Sequence, residues 1–336
     1  MKQIVYETFG PPPIVTRCVE AANPGEPTAW EVVVKVDAFP INPADLAMIY
    51  GQYGILNKPP ATIGMEAVGT VIQKGKSVSN LDLGDRVVLL ANNNWATLRK
   101  IPATLTVKVP PKLDALQCSM LKVSAMTAYH MLTQFEQLKA GQFVIQNAPL
   151  SIVGRYTLQI AKILGLKTIN LVRRAEQIAE VERLGGDIVL VEDAEVANEV
   201  RQRVGNGALK LAIDAVAGES TARLASSLQE GGLIINYGML SMQPCQIDAS
   251  NTIFRNVRLV GFWLSKILNR LSAQDRQQQL LQLVDWLGAG LIHGAIDSVY
   301  PIESIQDAIK RAEQPGRNGK VLVSTNPADL RLPAGA

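Results

Sequence analysis

Gln142–Arg174 reads QFVIQNAPLSIVGRYTLQIAKILGLKTINLVRR, and its order of strand, turn, helix and strand decides the fold. Phe143-Val144-Ile145 is a short apolar run without helical period, and a breaker cluster at Asn147, Pro149 and Gly154 follows it. Leu158, Ala161, Ile163 and Leu164 then mark the buried side of a helix that Gly165 ends, and Thr168–Val172 forms the next strand. The stretch is one βαβ half of a doubly wound, dinucleotide-binding sheet, in which a pyrophosphate rests on the helix N-terminus.

The end of the second strand refines this reading. A unit that binds NAD carries an acidic residue about 20 residues after its glycine loop, to hold the ribose 2′-hydroxyl. Here Arg173 and Arg174 occupy that place. Adjacent guanidiniums suit a 2′-phosphate, so the expected cofactor is NADPH. The competing explanation is a pair of solvated arginines at a strand end. The glycine loop is reduced to Gly154, with bulky Ile152 where a small residue is usual, and Arg155 is expected to help hold a phosphate.

A chain of 336 residues is long enough for two domains and a sizeable core. Its 47% hydrophobic and 19% charged content is that of a globular protein, and a net charge of +3 argues for neither nucleic acid nor a membrane surface as partner. No uncharged apolar run approaches membrane-spanning length, and MKQIVYETFG lacks the apolar centre of a signal peptide, so a cytoplasmic location is expected. Cys18, Cys118 and Cys245 are far apart and odd in number, which gives neither a disulfide framework nor zinc-finger spacing.

Before this stretch the chain reads as β-rich: Lys2–Tyr6, Ile14–Thr16 and Glu31–Val36 as strands, then a short helix opened by Asn42-Pro43-Ala44-Asp45. Asp45 is expected to cap that helix. Beyond it, strands alternate with helices through Ile188–Val191, Leu211–Val216 and Leu233–Tyr237, as a parallel sheet requires. A long amphipathic helix over Ser272–Leu287 precedes the last strands.

Gly64-Met65-Glu66-Ala67-Val68-Gly69, with Leu83-Gly84-Asp85-Arg86-Val87, resembles the medium-chain dehydrogenase/reductase superfamily. Members with catalytic zinc carry Gly-His-Glu at the first position and a ligand cysteine near the Asn42 region. Met65 replaces that histidine and no cysteine lies between Cys18 and Cys118, so no metal site is expected. Glu136-Gln137-Leu138, Gln146-Asn147-Ala148 and Gly261-Phe262-Trp263-Leu264 together resemble its 2-enoyl thioester reductase branch, over about Met1 to Val323. The resemblance implies an α/β chain: a Rossmann doubly wound parallel sheet at residues 118–267, and a discontinuous, β-rich, GroES-like catalytic domain at residues 1–117 and 268–336.

It also implies the chemistry. Without zinc, a nicotinamide can reduce an activated double bond if the protein aligns the partners, stabilises the enolate oxygen and places one proton donor. Tyr53, in Gly51-Gln52-Tyr53, matches the branch's donor; a phenol with a reference pKa of about 10 keeps its proton at neutral pH. The implied cofactor contacts are Asn147, Ser151, Val153, Gly154, Arg173, Arg174, Tyr237, Gly238, Met239, Phe262, Trp263, Leu264 and Lys320. Asn42 and Trp95 are the implied substrate-pocket residues, and His130 is expected to be structural. The implied substrate is a trans-2-enoyl thioester of CoA or acyl carrier protein, with Lys266, Arg270 and Arg276 expected to meet its phosphates. The alternative is a zinc-independent NADPH:quinone or enone oxidoreductase. A homodimer is expected, with Val257–Leu264 as the pairing edge.

Overall fold

A computed structural model describes residues 1–331; the last five residues of the expected catalytic domain lie outside the described residues. The chain forms two compact units, Met1–Val123 with Ser272–Ala336, and Ser124–Leu271. The crossover falls at Val123 and not at residue 117, because Lys122 and Val123 are still bonded to the loops and strands of the first unit. The return falls at Ser272, whose hydroxyl caps the long helix Ala273–Gly288 by accepting from Asp275 N at 3.0 Å.

The second unit is a six-stranded parallel sheet. Its strands are β1 (Phe143–Asn147), β2 (Lys167–Val172), β3 (Ile188–Val191), β4 (Leu209–Asp214), β5 (Leu233–Asn236) and β6 (Arg258–Gly261). The order β3-β2-β1-β4-β5-β6 reverses between β1 and β4, which is the Rossmann arrangement. The inner strands are buried on both faces, so they read as continuous apolar runs without alternation. Helices α1 (Ile152–Ile163) and α2 (Ile178–Arg183) follow β1 and β2. Every loop leaving a carboxyl end therefore opens on the same edge of the sheet.

The first unit is β-rich, as expected. Its larger sheet runs Ile296–Pro301, Lys320–Ser324, Glu31–Pro40, Ala67–Lys74, Arg86–Leu89 and Thr106–Lys108, with Leu98–Pro102 also paired to Glu31–Pro40. Lys320–Ser324 pairs parallel with Ile296–Pro301 and antiparallel with Glu31–Pro40, so the end of the chain returns beside Asn42. Trp95, Tyr6 and Phe39 are the largest fully buried side chains of its core. One expected strand moves. Pro12–Val15 is a helical turn and the strand is Thr16–Glu20, because consecutive prolines pre-set the dihedrals of a first helical turn.

Candidate functional site

In the second unit the candidate residues lie past the strand ends. Gly154 is not in a loop but in the first turn of α1. A Cβ there would come within 2.5 Å of the Ala148 carbonyl oxygen and 2.8 Å of Pro149 backbone, so only glycine lets loop and helix pack this closely. Ser151 is the N-cap and its hydroxyl accepts from Gly154 N at 3.1 Å. The phenol of Tyr237 bonds to Ser151, and burial pushes its pKa up to about 12. Gly238 has no room for a side chain either: an added Cβ would be 2.6 Å from the Ala215 carbonyl oxygen. Val153 and Leu264 are half-buried and Met239 is exposed. Phe262 lies 6.0 Å from the Phe135 ring, and Lys266 Nζ sits 5.1 Å over the Trp263 ring.

Asn147 ends β1 at the point where strand order reverses, and its amide is committed to the protein. Nδ2 donates to Asp214 Oδ1 at 2.7 Å and to Ser220 Oγ at 2.8 Å, while Oδ1 accepts from Ala215 N at 2.7 Å. Both amide hydrogens are thus used, leaving one lone pair for a ligand. Fully buried Asp214 also accepts from Val216 N, Ala217 N and Thr221 Oγ1, so one carboxylate gathers the loops after β1 and β4. Sequence reasoning missed this hub; its signal was an acid closing the apolar run Leu211–Ile213.

Arg173 and Arg174 stand exposed just beyond β2, with Glu176 a loose 3.9 Å from Arg174 Nε. Arg155 differs from expectation. It is buried in α1, its Nε donating to the Leu150 carbonyl at 3.1 Å and its terminal nitrogen pairing with Glu180 at 2.7 Å. These bonds commit it to the loop and to α2, where the sequence reading had given it to a phosphate.

In the first unit, Asn42 caps the helix Pro43–Ile49 and four ionisable groups lie buried around it: Asp45, Glu66, Lys122 and Lys320. Asp45 is the capping acid the sequence predicts, accepting from Asn42 N and Met65 N at 3.0 Å each. Glu66 accepts from Asn42 Nδ2 at 3.1 Å and Val123 N at 2.7 Å. Lys122 donates to the Met65 carbonyl, and at 3.1 Å each to the Ala91 carbonyl and Asn92 Oδ1. Burial is the largest cause of every shift here. It raises Asp45 to about 6 and Glu66 to about 7, and lowers Lys122 and Lys320 to about 8, while the opposite charges pull each group back. Lys122 also escaped the sequence reading, although a lysine inside Met120-Leu121-Lys122-Val123 interrupts an apolar run.

Tyr53 is half-buried in the loop that leaves this helix. Trp95 is a correction. It is 1% exposed and stacked on Phe39, with centroids 5.6 Å apart, so it belongs to the core and offers no wall to a ligand. The helix residue His130 is wholly buried and its pKa is lowered to about 4 by burial, which keeps it neutral, as a structural role requires.

The zinc-binding dehydrogenase family matches residues 153–286, and the alcohol dehydrogenase GroES-like domain matches residues 28–108. The mitochondrial enoyl-[acyl-carrier-protein] reductase of Xenopus tropicalis is 34% identical over 93% of this chain and 92% of its own. The Etr1p/NADP/crotonyl-CoA complex superposes with a TM-score of 0.86 at 28% identity, covering 96% of this chain and 99% of that one. A mycobacterial quinone oxidoreductase superposes at 0.83 with 28% identity and the same coverage. Despite the first family's name, no three His, Cys, Asp or Glu side chains gather as ligands among the described residues. The described residues do not fit a metal ion. No helix among those residues is long and apolar enough to cross a membrane.

Proposed function

The chain belongs to the 2-enoyl thioester reductase branch of the medium-chain dehydrogenase/reductase superfamily, and from that premise we propose that it reduces the α,β double bond of a trans-2-enoyl thioester with NADPH. The observation that carries the cofactor choice is the exposed Arg173-Arg174 pair past β2, at the position where a 2′-hydroxyl reader would be acidic. The glycine approach at Gly154, the amino end of α1 and the confined Gly238 fit a dinucleotide lying along the carboxyl edge of the sheet. When bound, NADPH supplies the hydride that reaches the β-carbon.

The protein's own tasks are positioning and proton supply. Ser151 and Gly154 shape the pyrophosphate seat; Tyr237, Gly238, Met239, Phe262, Trp263 and Leu264 shape the nicotinamide end; Lys320 adds a cation. Tyr53 delivers the proton to the α-carbon as the enolate collapses. The unit Met1–Val123 with Ser272–Ala336 acts as the catalytic domain, and Ser124–Leu271 holds NADPH. Exposed Lys266 and Arg270, with half-buried Arg276, meet the phosphates of CoA or the carrier protein. Strand β6 is the edge of its sheet and pairs with the same strand of a second copy, making a homodimer. A quinone or enone reductase is the second reading, favoured by the superposition of the mycobacterial enzyme at 0.83, against 0.86 for the Etr1p complex.

Tyr53→Phe tests the proton donor. With a short trans-2-enoyl-CoA, kcat is expected to fall by about a hundredfold or more while the affinity for NADPH holds. An unchanged kcat removes Tyr53 from the reaction.

A further inference from the structure

The Arg155–Glu180 ion pair takes no part in the chemistry above, yet it joins the two loops that the phosphates of a dinucleotide would span. Arg155 lies in α1, whose amino end follows the Ala148–Leu150 turn, and Glu180 lies in the first turn of α2, which follows Arg173, Arg174 and the single turn Ala175–Gln177. Arg155 is 6% exposed, and its guanidinium holds the Leu150 carbonyl and the Glu180 carboxylate at once. Beneath it, Leu158, Val172 and Val181 pack with Leu150 and Ile178 from the same two loops. The buried pair therefore fixes the backbone of one loop to the helix that anchors the other. Supporting bonds of this kind keep a ligand's contacts within a fraction of an ångström of their working geometry.

We propose that Arg155 and Glu180 are positioning residues for 2′-phosphate selectivity, holding the Arg173-Arg174 turn in register with the amino end of α1. The inference rests on the dinucleotide reading of this unit. It assigns Arg155 no phosphate of its own, since its guanidinium is bonded to the Leu150 carbonyl and Glu180.

The test is the ratio of NADH to NADPH dissociation constants, measured by titration calorimetry on the full chain. The two ligands differ only at the 2′-phosphate, so the ratio cancels every effect on the shared pyrophosphate. Glu180→Gln and Arg155→Gln are each expected to shrink the NADPH preference about tenfold, and Glu180→Asp to retain it. Should Arg155→Gln fail to fold, Glu180→Gln carries the test, because the Glu180 side chain is 27% exposed and loses only its charge. The thermal midpoint recorded alongside separates loss of register from loss of fold. A folded Glu180→Gln protein with the wild-type ratio overturns the inference and leaves the dinucleotide reading standing. A wild-type chain that binds neither nucleotide, or both equally, overturns that reading and the inference with it.

Discussion

Asp45, Glu66, Lys122 and Lys320 are buried in the first unit, whereas Arg173 and Arg174 of the second stand in solvent beyond the end of β2. The two sets solve opposite problems. The buried four are balanced two against two, and hydrogen bonds of Asp45, Glu66 and Lys122 tie Asn42, Met65, Ala91 and Val123 together. Taking such charges out of water is costly, and partners in good geometry offset the cost. Among the described residues, the one carboxylate paired with the exposed arginines is Glu176, at 3.9 Å from Arg174. The first arrangement builds the protein's interior. The second leaves two guanidiniums open to solvent, as the proposed 2′-phosphate contact requires.

Three substitutions sharpen this contrast. The largest effect is expected from Lys122→Met, which leaves two backbone carbonyls and Asn92 Oδ1 without their donor and Lys320 as the remaining counter-charge to Glu66 and Asp45; denaturant unfolding should show a loss of about 3 kcal/mol. Next comes Arg173→Ala with Arg174→Ala. Removing charge-assisted bonds to a 2′-phosphate is worth about 2 kcal/mol, or about thirtyfold in NADPH affinity, with NADH affinity and the thermal midpoint unmoved. A large drop in stability in this variant would erase the distinction between the two regions.

The smallest effect is a pH dependence. Glu66 is raised from 4.5 to about 7, so it binds its proton more tightly in the folded chain than in the unfolded one. The stability it contributes is fully present below pH 4.5 and is lost as pH rises through about 7. Asp45 acts with the same sign, between 3.8 and about 6. Relative to Glu66→Gln, which cannot titrate, the wild type should therefore gain in thermal midpoint as pH falls from about 7.5 to 5. A wild type that loses ground over that range contradicts the burial argument.

The contrast also explains what the sequence could disclose. The parallel sheet was legible because strands buried on both faces must be apolar throughout, and the loops between them must carry breakers. The arginines were legible because their spacing from Gly154 is set by the length of one βαβ unit. Trp95 was misplaced because a large aromatic reads alike as a pocket wall and as core; stacking on Phe39 decides between them. The Asn147–Asp214 hub and the Lys122 cage were hidden for a different reason. Each depends on residues dozens of positions apart, and a polar side chain within an apolar run does not name its partner. Arg155 shows the same limit, since only the fold reveals that Glu180 claims it first.

The most direct test of the central claim is NADPH consumption by the purified chain with a short trans-2-enoyl-CoA, beside a simple quinone. The account predicts turnover of the thioester and not of the quinone, and a rate that collapses when NADH replaces NADPH. Turnover of the quinone alone contradicts it and places the chain with the quinone oxidoreductases it also resembles in fold.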